Sequence, residues 1–255
     1  MARVDRPPVL AIDAGNTRIK WGLHDGARWR KRAWVPTLEA DRLKTAFARL
    51  AMPHQIVISN VAGRGLRSQL TAVLPRGPVR WIKGEREQAG VRSSYVAPAQ
   101  LGCDRWAALI GAHHLYRGAA VVVNAGTALT VDALTADGVF AGGMIAPGVE
   151  LMRKSLADNT AGLKMRSGEF SYFPDTTGDA IMSGAVNACC GAIERMARFL
   201  EDAGQTSPLC MLSGGAAATL APYLYLEVKL VDNLVLEGLL AIAGTRLAPP
   251  AKHHS

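Results

Sequence analysis

The sequence lacks the features of several common protein classes. It has only four cysteines in 255 residues and no C-x-x-C pair, and the adjacent Cys189 and Cys190 are poorly placed for a disulfide. We therefore expect reduced thiols in a cytoplasmic protein. The first apolar run, residues 9–12, is too short for a signal peptide. The longest apolar segment, residues 234–243, contains Glu237 and is shorter than a membrane span of about 18 residues or more, so we expect no membrane association.

Well-known catalytic and nucleotide-binding motifs are also missing. The patterns G-x-x-x-x-G-K-[ST], G-x-G-x-x-G and G-x-S-x-G do not occur. A P-loop, a dinucleotide-binding fingerprint and a hydrolase nucleophile elbow are therefore excluded as sequence motifs. The histidines have no metal-ligand spacing relative to the cysteines, which argues against a zinc site.

Acidic residues are scarce in the first half of the chain. Residues 1–118 contain 20 Lys and Arg but only 8 Asp and Glu, whereas residues 119–255 contain 9 and 13. A basic half can attract anionic substrates or nucleic acid. Because the arginines are scattered and no helix-turn-helix or basic helix is visible, we expect a solvated arginine-rich surface and small anionic substrates, and no nucleic-acid partner.

Hydrophobic periodicity predicts a mixed α/β chain. The predicted strands are residues 8–14, 19–23, 28–35, 55–61, 79–82, 119–124, 129–134, a strand from 139, 209–212 and 228–231. The predicted helices are residues 38–50, 66–74, 99–116, 149–156, 179–203 and 234–246. The first half therefore has the order β-β-β-α-β-α-β, with a three-stranded antiparallel unit followed by alternating helices and strands.

One segment of the first half recurs in the second. V-L-A-I-D-A-G at residues 9–15 and A-V-V-V-N-A-G at residues 120–126 align at an offset of 111 residues. Each is followed by a strand, a glycine turn and a further strand. We infer two duplicated α/β domains, residues 1–117 and 118–255, whose glycine turns face each other across a cleft.

The first glycine turn has the residues of a phosphate site. Gly15 allows a ligand to approach the backbone closely, and the side chains of Asn16 and Thr17 can bind phosphate oxygens. Asp13, at the end of its strand, can hold Mg²⁺ directly or through water. A plain hairpin turn uses the same residue types and is the alternative. The second copy, around Thr127, favours function, because folding alone does not require this turn to recur.

A second chemical motif opens the helix predicted over residues 99–116. Asp104 can accept a proton from a substrate hydroxyl, and the planar guanidinium of Arg105 can bind a carboxylate. The alternative is that Asp104 only stabilises the N-terminus of the helix and that Arg105 is solvated.

Together these motifs resemble the type III pantothenate kinases of the acetate/sugar kinase, Hsc70 and actin superfamily. The matching stretches are D-A-G-N-T-R-I-K at 13–20, G-C-D-R-W-A at 102–107, N-A-G-T-A-L-T-V-D at 124–132, G-G-M-I-A-P-G at 142–148 and T-T-G-D-A-I at 176–181. They occur in the family's order through most of the chain. The G-x-D-R motif between the two turns is peculiar to this family.

The resemblance implies two ribonuclease H-like domains with the active site in the cleft, and ATP-dependent phosphorylation of pantothenate to 4'-phosphopantothenate, the first step of coenzyme A biosynthesis. Asp104 would be the general base. The ATP site would comprise Asp13, Ala14, Gly15, Asn16, Thr17, Arg18, Ile19, Lys20 and Thr127. The pantothenate pocket would comprise Tyr95, Gly102, Cys103, Asp104, Arg105 and Thr177, with Arg105 on the carboxylate.

The family uses Mg²⁺ and a monovalent cation, K⁺ or NH₄⁺, and its members are homodimers with the pocket closed at the subunit interface. This chain departs from the family pattern at Asn124, where an Asp associated with the monovalent cation is usual. An amide oxygen can bind K⁺ but carries no charge, so Asn124 is a weaker candidate ligand. Other readings are a sugar or acetate kinase, a non-enzymatic transcriptional regulator and a nucleotide-binding module without transfer chemistry.

Overall fold

The computed structural model describes residues 7–160, 162–163 and 167–244. Its strands are β1 Val9–Ala14, β2 Arg18–His24, β3 Trp29–Pro36, β4 Gln55–Asn60, β5 Val79–Trp81, β6 Glu87–Gln88, β7 Val91–Ser93, β8 Ala120–Ala125, β9 Ala128–Leu134, β10 Val139–Pro147, β11 Leu209–Ser213 and β12 Val228–Leu230. Its α-helices are α1 Arg42–Ala48, α2 Gly63–Val73, α3 Cys103–Leu115, α4 Val149–Asn159, α5 Thr177–Asp202, α6 Ala217–Leu220 and α7 Leu234–Ala243.

The two halves of the chain form sheets of the same topology. The first sheet has the order β3-β2-β1-β4-β5, and the second contains β10-β9-β8-β11-β12 with β7 and β6 added beyond β10. In each sheet the first three strands in the chain, β1 to β3 or β8 to β10, pair antiparallel. The remaining two, β4 and β5 or β11 and β12, run parallel to β1 or β8, which lies at the centre of its sheet. The predicted duplication is therefore present in the strand order.

The register of the duplicated strands matches as well. Asp13 on β1 lies opposite Lys20 on β2 and Ser59 on β4. At the equivalent position in the second sheet, Asn124 on β8 lies opposite Thr130 on β9 and Ser213 on β11. Both glycine turns therefore begin at the carboxyl end of the equivalent central strand of each sheet.

Helices α3 and α7 form a layer between the two sheets. Alternate residues of the central strands, such as Ala11 and Val122, pack with α3 and α7 in one apolar core. The opposite face of the first sheet packs on α1 and α2, and that of the second sheet on α4, α5 and α6. Strands β1 and β8 are buried on both sides because helices cover both faces, which explains their continuous apolar sequences.

Some predicted elements differ from the structure. The helix expected over residues 99–116 begins at Cys103, because Gly102 is extended and Pro98–Gln100 forms a separate 3₁₀ turn. The helix expected over residues 38–50 starts later, at Arg42, after another 3₁₀ turn. The helix expected over residues 234–246 extends to Ala243, and its last two positions lie outside the described residues.

The hairpin formed by β6 and β7 was not predicted. It lies within residues 1–117, yet β7 pairs in parallel with β10 and so extends the second sheet. Conversely, α7 follows the last strand of the second sheet and packs on β1 and β4 of the first. Each sheet thus receives an element from the other half of the chain. The boundary between residues 117 and 118 follows the sequence repeat, and as a domain boundary it stays a prediction. No helix among the described residues is sufficiently long and apolar to cross a membrane.

Candidate active site

The two glycine turns meet across the cleft between the sheets. The hydroxyl oxygens of Thr17, in the β1–β2 turn, and Thr127, in the β8–β9 turn, are 3.0 Å apart. Each turn is closed by a backbone hydrogen bond from its glycine, but the second turn is one residue shorter: the N–H of Gly15 donates to the carbonyl of Arg18, three residues on, and that of Gly126 to the carbonyl of Ala128, two residues on, each at 3.1 Å. The predicted face-to-face arrangement is therefore present.

Asp13 is a buried carboxyl group at the base of the first turn. Its side chain is buried, and burial raises its pKa to about 7. The charge of Lys20 acts in the opposite direction, whereas the negative charge of Asp104 raises the pKa further. A carboxylate that is costly to ionise in isolation is stabilised by a cation, so the oxygens of Asp13 fit the chemistry of a Mg²⁺ ligand.

The other residues predicted for ATP binding differ in the exposure of their side chains. Asn16 and Thr17 are exposed at the turn. Arg18 is also exposed, and its guanidinium lies 4.4 Å from the ring centroid of Trp34. The side chains of Ala14 and Ile19 pack in the core beneath α1 and α2, so only their backbone atoms are available to a ligand.

Asp104 lies in the first turn of α3, facing the charges of both sheets. Its Oδ1 accepts a hydrogen bond of 2.8 Å from the backbone N–H of Arg105. Its charge raises the pKa values of Asp13 and Asp132, so the three carboxylates share one electrostatic environment. Asp104 is half-buried, so part of the residue remains accessible.

Arg105 is buried and paired with Asp132, a residue to which the sequence assigned no specific role. Arg105 Nε donates to both carboxylate oxygens of Asp132 at 3.2 Å, and Nη2 donates to Oδ1 at 2.5 Å. Its Nη1 donates to the hydroxyl of Tyr95 at 3.3 Å. Burial would lower the pKa of Arg105, but Asp132 raises it above its ordinary value. Burial raises the pKa of Asp132 to about 6, and the hydrogen bonds and charge of Arg105 act in the opposite direction.

The G-G-M-I-A-P-G motif supplies the space for this ion pair. A Cβ atom on Gly143 would lie 1.9 Å from Asp132 Oδ1 and 2.7 Å from Arg105 Nη2. A side chain at this position would therefore displace the pair. The rings of Tyr95 and Phe140 cover the same region, with centroids 5.1 Å apart.

Cys103 lies beside the carboxylates without the properties of a nucleophile. The hydroxyl of Ser59 donates to its sulfur at 3.3 Å. Burial raises the pKa of the Cys103 thiol, and the charges of Asp104 and Asp13 add to this effect. A thiol with a raised pKa is a weak nucleophile.

Of the two remaining predicted site residues, Asn124 lies next to the second glycine turn and Thr177 lies apart from the cluster. Asn124 is at the end of β8, half-buried, beside the hydroxyl-bearing residues Thr130 and Ser213 of the neighbouring strands. Thr177 is exposed at the start of α5, on the outer face of the second sheet, whereas α3 lies on the inner face. Among the described residues, no hydrogen bond joins Thr177 to Tyr95 or Arg105.

Comparisons with solved structures identify the fold. A conserved protein of the Baf family of transcriptional activators from Campylobacter jejuni superposes with a TM-score of 0.59 at 21% identity, over 91% of this chain and 96% of that chain. A glucokinase from an Antarctic psychrotroph superposes with a TM-score of 0.51 at 12% identity, over 94% and 100%. The predicted α/β fold with two sheets is confirmed, and a glucokinase shares it.

Comparisons of sequence identify the family. The model of the type III pantothenate kinases matches residues 9–198. A type III pantothenate kinase from Nitrosospira multiformis is 48% identical over 93% of this chain and 91% of its own length, and one from Aromatoleum aromaticum is 48% identical over 92% and 97%. The family inferred from the motifs is confirmed: the chain belongs to the type III pantothenate kinases.

Proposed function

We propose that this protein transfers the γ-phosphoryl group of ATP to the hydroxyl of pantothenate. The observation that carries the proposal is the position of Asp104, whose charge acts on Asp13 at the base of the first glycine turn and which is adjacent to the buried cation of Arg105. The glycine turns are suited to phosphates, and an arginine beside a carboxylate base is suited to an acceptor that carries both a hydroxyl and an anionic group.

In this reaction Asp104 takes the proton of the acceptor hydroxyl as its oxygen bonds to the γ-phosphorus. The bond between that phosphorus and the bridging oxygen breaks, and ADP leaves. Asn16, Thr17 and Thr127 hold the phosphates through side-chain and backbone groups. Phosphoryl transfer depends mainly on positioning and on electrostatic stabilisation, so the fixed turns contribute as much as the base.

Mg²⁺ neutralises charge on the transferred phosphates when it is bound. Asp13 is the residue that would hold it, because its buried carboxylate lacks the solvation that would otherwise stabilise its charge. Lys20, opposite Asp13 on β2, adds a positive charge at the same edge of the sheet.

The acceptor pocket consists of Tyr95, Gly102, Cys103, Asp104 and Arg105. Since Asp132 occupies Nε and Nη2 of Arg105, the Nη1 edge beside Tyr95 is the part that meets the substrate carboxylate.

Thr177 would complete the pocket of a second copy in a homodimer. Exposed apolar side chains on β10, α4 and the segment before α5 are consistent with such an interface; they are Ile145, Leu151, Leu156, Tyr172 and Phe173. Light scattering that gives a monomer mass at micromolar concentration would contradict the dimer.

An assay of ADP release tests the function. With ATP and Mg²⁺, the rate should be high with pantothenate and close to background with glucose, glycerol and acetate. The reason is that only pantothenate presents a hydroxyl to Asp104 and a carboxylate to Arg105.

Equal activity on a sugar would refute the proposal in favour of a sugar kinase. Pantothenol, which has the hydroxyls but not the carboxylate, is the matched control for Arg105. If it is phosphorylated as well as pantothenate, Arg105 does not bind the carboxylate.

A weak monovalent-cation site at Asn124 is part of the proposal. Thr130 and Ser213 on the adjacent strands offer hydroxyl oxygens, but Asn124 supplies no charge. A carboxylate binds a hard cation better than an amide does. The wild type should therefore need several-fold more K⁺ for half-maximal rate than Asn124→Asp, in titrations where Na⁺ holds the ionic strength constant. Identical K⁺ curves for the two proteins would show that position 124 does not handle the cation.

We place the protein in the cytoplasm, since its described cysteines are all free thiols and the reaction consumes ATP. Cell fractionation tests this placement. Residues 1–117 and 118–255 are proposed as the two duplicated units, with the β6–β7 hairpin and α7 each packed on the sheet of the other unit.

A further inference from the structure

Tyr95 lies in a segment without regular secondary structure, between β7 and the 3₁₀ turn at Pro98–Gln100. Its backbone N–H donates to the hydroxyl of Ser93 at 3.3 Å, and the preceding residue, Ser94, donates to the carbonyl of Phe140 at 3.1 Å. Val96, next along the chain, is 97% exposed. Apart from the ring of Tyr95, which packs on Phe140, the segment therefore has little apolar packing to fix the position of its backbone.

Arg86, just before β6, holds this segment from the outside. Its Nη1 donates to the carbonyls of Ser93 at 3.1 Å and Tyr95 at 2.9 Å, and its Nη2 donates to the carbonyl of Val96 at 3.2 Å. The N–H of Ser93 also donates to the carbonyl of Arg86 at 2.9 Å. Two nitrogens of one guanidinium thus bond three carbonyls within four residues, and the single nitrogen of a lysine does not reproduce this spread, planar geometry.

The position of Tyr95 matters for the buried charge next to it. The hydroxyl of Tyr95 accepts from Arg105 Nη1, and Arg105 is fixed on its other side by Asp132. A displacement of the Tyr95 backbone would remove this acceptor and change the edge of the guanidinium that faces the cleft. Arg86 has no contact with Arg105 among the described hydrogen bonds and ion pairs, so its effect passes through Tyr95.

We propose that Arg86 is a positioning residue for the acceptor pocket: it clamps residues 93–96 so that Tyr95 and Arg105 keep the arrangement that binds the substrate carboxylate. This inference rests on the proposed function, because the acceptor is pantothenate in that proposal. Binding of ATP takes place at the glycine turns and does not involve the clamp.

The test compares Arg86→Ala, Arg86→Lys and the control Arg92→Ala. Arg92 is an exposed arginine on the same hairpin, and its Nη2 is 3.1 Å from Asp137 Oδ2, so its removal changes the net charge equally without touching the clamp. Arg86→Ala should raise KM for pantothenate about tenfold and change KM for ATP less than twofold. Arg86→Lys should not restore the wild-type KM, and Arg92→Ala should behave as the wild type.

Two further measurements separate positioning from general damage. Hydrogen exchange of the backbone amides of Ser94 and Tyr95 should be faster in Arg86→Ala than in the wild type and unchanged in Arg92→Ala. Tyr95→Phe should reproduce the rise in KM for pantothenate. In the variant that combines Tyr95→Phe with Arg86→Ala, KM should rise by less than the product of the two single fold-changes, because both changes act through one contact.

The outcomes are distinct. An Arg86→Ala variant with wild-type exchange, or with faster exchange but an unchanged KM for pantothenate, would overturn the inference. So would an equal rise in KM for ATP, which would indicate general distortion. Failure of the proposed function would instead appear as inactivity of the wild-type protein on pantothenate. In that case the exchange measurement would still decide whether Arg86 clamps the segment.

Discussion

Replacing Asp104 by Asn should lower kcat by about 10²–10⁴-fold, the usual contribution of a general base. The amide has the same shape as the carboxylate, and its oxygen can still accept the hydrogen bond from the N–H of Arg105. It cannot, however, take the proton of the acceptor hydroxyl. ATP should still bind, since the glycine turns are unchanged. Steady-state kinetics with pantothenate, together with a direct measurement of ATP binding, checks both expectations.

Glu150→Gln is a matched control for this variant. Glu150 is also an acidic residue in the first turn of a helix, α4, but it is exposed and pairs with Arg153. Its neutralisation should leave kcat unchanged and affect stability by no more than about 1 kcal/mol. If Asp104→Asn lowers kcat less than tenfold, the proton leaves by another route and Asp104 serves only to stabilise the start of α3.

The parts of the fold that follow a local rule could be predicted from the sequence. The apolar runs ending in Asp13 and Asn124 identify the central strands, and their equal spacing from a glycine turn reveals the duplication. From a duplication it follows that the two turns meet, and Thr17 and Thr127 are indeed in contact. These inferences need only short-range patterns and one symmetry.

The contacts that depend on distant pairing could not be predicted. Strands β6 and β7 have two and three residues, too few for a periodic signal, and their position is set by pairing with β10. Asp132 is paired with a residue 27 positions earlier, across a strand and a helix. One signal was available: an aspartate within the apolar run of β9 has to be paired if it is buried. That signal indicates a partner but does not identify Arg105.

The packing of α3 against α7 is another such contact, and it relates the two sheets to each other. The helices cross at two glycines. A Cβ atom on Gly111 would lie 2.4 Å from the carbonyl oxygen of Leu234, and one on Gly238 would lie 1.7 Å from the carbonyl oxygen of Ala107. Both obstacles are backbone atoms, which no change of side-chain rotamer can move. The two helices can therefore approach this closely only while both positions lack a side chain.

Gly238→Ala should therefore destabilise the protein, although alanine is the better helix former by about 1 kcal/mol. Overpacking of a tight core typically costs about 1–3 kcal/mol, and a backbone clash belongs at the upper end or beyond. We expect a net loss of about 2 kcal/mol, which corresponds to a fall in Tm of roughly 4–8 °C for a chain of this size. Because α3 carries Asp104 and Arg105 at its N-terminus, the separation of the helices should also lower kcat.

The same substitution at Gly191 is the matched control for Gly238→Ala. Gly191 lies inside α5, and a Cβ atom there would meet nothing within 4 Å. Gly191→Ala should leave kcat unchanged and stabilise the protein by up to about 1 kcal/mol, through helix propensity alone. Thermal unfolding and steady-state kinetics of the two variants give the comparison. If Gly238→Ala is as stable and as active as Gly191→Ala, the two helices can separate without cost, and the crossing does not hold the sheets in their catalytic arrangement.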